Sequence, residues 1–453
     1  MSRGCLCIKY ITDRKEERFN TTLGFYEPSV FHLYTRGTGK LCNLQKWDSQ
    51  QASTFLHEYV HFLQDIITVK GLQSLYIIGE YLRLVTKALK GSNYEVSRPI
   101  TPHFTGYNVG NNWLVSFYTF GEIDYTATQY ISYCRDQSKH ITDDITGQTI
   151  DIGRILVTCN RNDGSTKQYC FGTIQIMEGM AKMIQEAVYP TPRRLSPYNP
   201  YYIAIDLAND LMSGLGSNIP TMIAIFDYAL QSSNPGWAFV NYIEGKKTQG
   251  YNVATLTYDI VYQDMENTAV QSHTLGLTTL KKGYDDIIKQ AKGVFHDYTS
   301  GIWLFKNQEI WYNSLLERGK VVREKLPHLF VALACGGDIR KDGLFSQILD
   351  SFGTPIVTNR KHDFDFKKPV NISITRDELM HVYAMMQIHQ VFKTQGNFTC
   401  PLRKYCQSQP CGLRKQFVDI RCVKTPWERM RPLNRCMFNI WWKFKGFKKV
   451  KFV

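Results

Sequence analysis

Five consecutive residues, His57-Glu58-Tyr59-Val60-His61, carry the residue types of hydrolytic chemistry at a spacing that a helix can use. Two histidines at i and i+4 lie one turn apart on one helical face, so both imidazoles can reach a single tetrahedral metal ion. The glutamate between them then stands beside the metal-bound water as a general base. Zinc suits this donor set, and the chemistry implied is hydrolysis by a zinc-activated water. The plainer alternative is a core helix whose two histidines bond to neighbouring side chains.

The element that must position these residues is a helix over about Asp48 to Val69, with Asp48 or Ser49 as N-cap and a turn at Lys70-Gly71. Phe55, Leu56, Tyr59, Val60, Phe62, Leu63, Ile66 and Ile67 make it apolar nearly all round, while Thr54, His57, Glu58, His61, Asp65 and Thr68 form one polar stripe. Each buried polar group without a partner costs about 1–3 kcal/mol, so a stripe of titratable groups needs partners, and a metal supplies one. Asp65, one turn beyond His61, is a candidate to orient that histidine.

At His57 to His61 and the surrounding helix the chain resembles the zincin zinc metallopeptidases. Gln64 and Ile67 stand where the metzincin branch has Gly and His, which leaves the gluzincin branch, whose third ligand is a glutamate on a later helix. Two glutamates compete for that place. Eighteen residues separate His61 from Glu80, the spacing of aminopeptidase-like gluzincins, and a helical hairpin could bring the two level. Tyr81 departs from that family's pattern, which has Gly after the glutamate. Glu178 lies in Glu178-Gly179-Met180-Ala181, which is similar to the Glu-Gly-x-Ala segment of gluzincin third-ligand helices, and Gly179 and Ala181 would permit close helix approach. The resemblance therefore implies zinc on His57, His61 and Glu178, with Glu80 kept as the alternative. Lys182 stands where thermolysin-type enzymes have Asp. The oxyanion needs a donor, for which Tyr201 and Tyr202 are candidates, Tyr202 being the one carried forward with Glu58 as a catalytic residue.

Beyond the metal helix, helical patterns run over Leu72–Leu89, Thr173–Val188, Tyr202–Met212, Thr221–Leu230, Thr278–Thr299, Gln308–Leu326 and Arg376–Phe392. Trp113–Phe120, Gln148–Thr158 and Lys167–Phe171 are rich in β-branched and aromatic residues and predict a small sheet bordering the cleft. The fold class expected is α+β, mostly α. The expected organisation is a zincin-like catalytic domain over residues 1–235, a helical region over 236–399 that completes the enzyme body, and a basic Cys-rich tail over 400–453.

Charge sets that tail apart. The 453 residues carry a net charge of +14, yet Cys400 to Val453 holds 14 Lys and Arg against two acids, Asp419 and Glu428. Cys400, Cys406, Cys411 and Cys422 could close a second, structural zinc site. Trp441, Trp442, Phe444, Phe447 and Phe452 interleave with lysines and could meet nucleic acid or an anionic surface, or form a closing strand with solvated lysines. Glu378-Leu379-Met380-His381 is a helical ExxH, which with Glu58 to His61 keeps a di-iron arrangement in view.

With 43 % hydrophobic and 21 % charged residues the composition is that of an ordinary globular protein, not a disordered or collagenous one. The N-terminal residues contain no apolar signal region, no segment reaches the roughly 18 apolar residues of a spanning helix, and the scattered cysteines suit a reducing compartment. The reading is a cytoplasmic zinc metallopeptidase acting on a peptide or protein substrate. The rival is a zinc-stabilised binding protein, an inactive pseudo-enzyme contacting nucleic acid through its tail.

Overall fold

A computed structural model of the chain describes residues 24–27, 31–91, 95–98, 115–116, 118–142, 149–191, 196–272, 276–302, 305–360, 363–393, 396–400, 402–408, 418–428 and 436–452. In chain order the elements used below are β1 (Gly24–Glu27), β2 (His32–Thr35), α1 (Ser49–Ile67), α2 (Val69–Gly91), β3 (Glu95–Val96), β4 (Ala127–Thr142), β5 (Thr149–Arg161), β6 (Thr166–Phe171), α3 (Thr173–Val188), α4 (Ile203–Leu211), α5 (Ile219–Ala229), β7 (Ala269–Ser272), β8 (Gly276–Thr279), α6 (Leu280–Thr299), α7 (Lys306–Lys325), β9 (Ile356–Asn359), β10 (Phe364–Asp365), α8 (Arg376–Lys393), α9 (Met437–Phe444) and β11 (Lys451–Phe452). The protein is α+β and mostly helical, with small sheets.

Helix α1, which carries His57, Glu58 and His61, is the centre of the core. Asp48 caps it, its carboxylate accepting from the Gln51 amide at 2.7 Å, and every residue from Gln51 to Ile67 is buried. A helix buried on all sides takes its stability from packing, and two side chains hold its far end. Arg323 of α7 donates to the Ile67 carbonyl and pairs with Asp227 of α5 at 2.7 and 2.8 Å, while Tyr284 of α6 donates to the Ile66 carbonyl at 3.2 Å. Nearer the middle, the Tyr59 hydroxyl donates to the Gly353 carbonyl.

The turn after α1 falls at Thr68 and not at Lys70-Gly71. Thr68 is extended, its hydroxyl donates to the Gln64 carbonyl, and the Gly71 amide donates to that same hydroxyl, so one threonine closes α1 and opens α2. Gly71 sits within the first turn of α2, where a Cβ would lie 2.2 Å from the Gln64 carbonyl oxygen, so no larger residue fits this tight reversal.

Two sheets flank this centre. One has the order β1-β2-β9-β10, with β2 and β9 parallel and both outer pairs antiparallel. It was not visible in the sequence, because its strands are four residues or shorter and come from opposite ends of the chain. The other is the antiparallel meander β4-β5-β6. Its β5 and β6 cover the two later segments expected to be strands. The first, Trp113–Phe120, is different: Val115, Ser116 and Tyr118 are helical, and the Thr119 amide and hydroxyl both bond back to the Val115 carbonyl. β4, a 16-residue strand of mostly polar residues, takes its place. Strand β8 precedes α6, which starts at Leu280 rather than Thr278.

The described part of the basic tail packs onto the body. Trp441 and Trp442 of α9 are 0 % and 1 % exposed. Trp441 lies 4.4 Å, centroid to centroid, from Tyr298 of α6, and Trp442 stacks on Phe392 of α8. Strand β11 pairs in parallel with β3, and the Arg98 guanidinium lies over Trp427 and Phe452. Trp441, Trp442 and Phe447 are therefore core side chains, closed to nucleobase stacking. Among the described residues no helix is long and apolar enough to cross a membrane.

Candidate metal centre

Helix α3 begins where β6 ends, at Gly172, and lies against α1. This contact brings Glu178 to the two histidines. Its Oε2 lies 3.1 Å from His57 Nε2 and 3.2 Å from His61 Nε2, and the two Nε2 atoms are 3.3 Å apart. Among the described residues these three form the group of His, Cys, Asp or Glu side chains whose ligand atoms all lie within 4.8 Å of one another, and all three are buried.

That triangle can be compared with the geometry of a metal. Bonds of about 2.0–2.1 Å at tetrahedral angles put ligand atoms about 3.3 Å apart, whereas three ligands in one plane around the metal would stand about 3.6 Å apart. The observed edges, 3.1 to 3.3 Å, are compatible with three donors on one tetrahedral metal ion. Two imidazoles and one carboxylate form a buried group that could bind a metal ion.

The electrostatics agree with a cation at this place. Burial opposes charge on His61, yet Glu178 beside it, with Glu58 and Gln64 contributing, raises its pKa from 6.5 to about 9. Burial would raise the Glu178 carboxyl, but His61 and His57 hold it well below the usual carboxylate range. In the metal-free protein a proton thus supplies the positive charge that the carboxylate requires.

Orientation of His61 comes from Gln64. The Gln64 amide nitrogen donates to the Met177 carbonyl at 3.1 Å, which leaves Oε1 to accept from His61 Nδ1 at 2.8 Å. Nδ1 therefore carries a hydrogen, and Nε2, the atom that faces the cluster, would offer its lone pair to a metal once its own proton has left. Asp65, expected in this role, instead accepts from the Tyr26 hydroxyl of β1 at 2.9 Å. The signal for Gln64 was its i+3 position after His61, which a polar-stripe reading passes over because Gln64 does not titrate. Nδ1 of His57 is buried and has no hydrogen-bond partner among the described residues.

Glu58 is buried, and β1 runs beside it. A Cβ on Gly24 would come 2.4 Å from Thr54 Cγ2 and 3.1 Å from Glu58 Oε1, so only glycine lets the strand lie this close to the carboxylate. The strand found at Glu58 thus belongs to the first sheet, not to the meander expected to border the cleft.

The other sequence candidates separate in space. Glu80 is buried on α2, where Arg83 grips both its oxygens at 2.7 to 3.2 Å, outside the cluster. Gly179 faces Phe226 and Ala204 rather than α1, so the close approach it permits is to α5 and α4. Lys182 reaches Gln185, Thr191 and Glu186. Tyr202, assigned to the oxyanion, is 2 % exposed and donates to Glu186 at 2.7 Å. Tyr201 instead sets its ring edge-on to His57, centroids 5.8 Å apart. Consecutive residues of a helical turn point in directions about 100° apart, so only one of the pair can face the histidine. Glu378 caps its own helix, accepting from Thr375 and Asn307, which explains the ExxH without a second metal.

Comparison with protein-family models, curated proteins and solved structures finds no match to this chain.

Proposed function

We propose that the protein is a zinc-dependent metallopeptidase of zincin type, in which His57, His61 and Glu178 hold the metal and Glu58 is the general base. The observation that carries this reading is the donor triangle with edges of 3.1 to 3.3 Å, two of whose corners share helix α1 with a buried carboxylate, Glu58, that is not a corner itself. A purely structural site has no need of that carboxylate.

Bound zinc supplies Lewis acidity, acidifying water toward a pKa of about 7 and polarising the scissile carbonyl. Glu58 takes the proton from the attacking water and returns it to the leaving amine. Gln64 keeps His61 in the ligating tautomer. Tyr201, against His57, replaces Tyr202 as the donor to the developing oxyanion. β1 is an edge of its sheet among the described residues, and an extended peptide could add to it by main-chain hydrogen bonds. This supports a peptide or protein substrate. Cys42, Cys134, Cys159, Cys170 and Cys335 are thiols, in keeping with a reducing, cytoplasmic setting.

The second reading, a zinc-stabilised binding protein with a nucleic-acid-binding tail, has less support because Trp441, Trp442 and Phe447 are buried, which leaves Phe444 as the exposed aromatic of the five. Exposed Lys448, Lys449 and Lys451 still offer a salt-sensitive contact for an anionic surface. The Glu58→Gln variant separates the readings: the amide cannot act as base, so peptidase activity on a peptide library falls by about 10²- to 10⁴-fold while zinc content is unchanged. Wild-type protein that holds zinc yet cleaves nothing in the library would favour the binding protein.

A further inference from the structure

Of the tail cysteines considered for a second zinc, Cys411 lies outside the described residues, and Cys400, Cys406 and Cys422 enter no metal-ligand cluster among them. A second site is built elsewhere, on the helix Pro235–Thr248. One face of that helix is core: Phe239, Val240 and Ile243 are fully buried, and Phe239 stacks on Phe226 of α5. The remaining face, from Trp237 through Asn241, Gly245 and Lys246 to Gln249 at its end, recurs at helical spacing and floors a cavity of about 640 Å³. Gln73 of α2, residues 231–233 after α5, Asp264 and strand β7 form the walls. That size lies within the range of ligand pockets, about 300–1,000 Å³. None of His57, Glu58, His61 and Glu178 lines it, so this site stands apart from the metal centre.

The fold leaves the polar groups of the cavity unused. Gln73 is 6 % exposed, and its side-chain amide has no hydrogen-bond partner among the described residues. A buried amide left unmet is destabilising, so one that lines a cavity calls for a partner inside it. The amides of Asn241 and Gln249 also have no partner among the described residues. Charge in the cavity is balanced. Lys246, 8 % exposed, pairs with Asp264 at 2.6 Å, and the Tyr242 hydroxyl donates to the same carboxylate oxygen at 2.7 Å, which leaves Oδ1 as a spare acceptor. The rings of Trp237, Tyr228 and Tyr242 also line the space. A Cβ on Gly245 would meet nothing within 4 Å, so packing does not require this helix-weakening residue, and its effect is to keep the floor bare.

We propose that this cavity binds a neutral saccharide. Each sugar hydroxyl both donates and accepts, which suits free amides beside an ammonium–carboxylate pair. The C–H faces of a sugar ring are apolar and pack on aromatic rings. A phosphate or carboxylate ligand would find no surplus cation, because Asp264 already neutralises Lys246, the one basic side chain in the lining.

The test titrates the full chain with maltose, cellobiose and N,N′-diacetylchitobiose, followed by calorimetry and saturation-transfer NMR, with adenosine and inorganic phosphate as controls. At least one of the sugars should bind at millimolar concentration or tighter. Gln73→Leu should weaken that binding about 10-fold and raise the melting temperature, since it removes both the ligand's hydrogen bonds and an unmet buried amide. Gly245→Leu puts a side chain into the cavity and improves helix propensity, so it should abolish binding in a chain at least as stable as the wild type. No binding of any of the three sugars, full binding in Gly245→Leu, or preference for adenosine or phosphate would overturn the proposal. So would a Gln73→Leu chain that melts lower and binds as before.

Discussion

Gln64 determines which nitrogen of His61 faces the cluster, and it does so through an amide whose orientation the Met177 carbonyl fixes. Replacing it with Ala frees the ring to turn and to change tautomer, and zinc affinity should drop about 10- to 100-fold in a competition titration. Unchanged affinity would mean that packing alone orients the ring. The two neighbouring tyrosines have different consequences. Tyr201→Phe should lower kcat on the order of 10²-fold with zinc content unaltered, as loss of an oxyanion donor does. Tyr202→Phe removes the bond to Glu186 and should cost about 1 kcal/mol of stability with kcat preserved. Kinetics of the pair decide the assignment, and equal effects on kcat would remove Tyr201 from the chemistry.

At the scale of elements, the carboxylate that joins the two histidines, the third ligand in the proposed site, depends on which helix lies against α1 with its carboxylate turned inward. α3 does, through Glu178. The carboxylate of α2, Glu80, is committed to Arg83. Glu178→Ala should therefore weaken zinc binding beyond the ~10–100-fold expected of an outer partner. Glu80→Ala should leave zinc affinity intact and lower the melting temperature modestly, because the Arg83 it releases is already partly exposed. Zinc titrations and melting curves of both variants are the check, and full affinity in Glu178→Ala would move the ligand elsewhere.

For the molecule as a whole, the C-terminal segment contributes to the core rather than trailing from it. Trp441 is fully buried, its ring against Tyr298 of α6 and Phe305. Trp441→Ala should cost about 3–5 kcal/mol in urea unfolding, in line with removal of a large core side chain. Removing residues 400–453 altogether exposes the faces of α6 and α8 that Trp441 and Trp442 cover and unpairs β3, so that truncated chain should be far less stable still. An unchanged urea midpoint in the truncated protein would show the segment to be dispensable.

Several features were legible in the residues because they are local. The capped, all-round apolar α1 and the periodicity of α3 follow from side chains within a few turns of one another, and their observed bounds, Ser49–Ile67 and Thr173–Val188, follow those patterns closely. The net basic charge of the tail was equally plain. What only the tertiary structure decided is direction and long-range pairing. Gln64 rather than Asp65 beside His61, Tyr201 rather than Tyr202 beside His57, and Glu178 rather than Glu80 beside both histidines are matters of which neighbour each side chain meets, at sequence positions that are equally acceptable. β2 and β9 are four-residue strands whose pairing depends on a partner more than 300 residues away, a distance over which no local pattern carries information. The tail tryptophans read as an exposed basic-aromatic stretch until α6 and α8 are seen to cover them, because burial belongs to the packed chain and not to the residue.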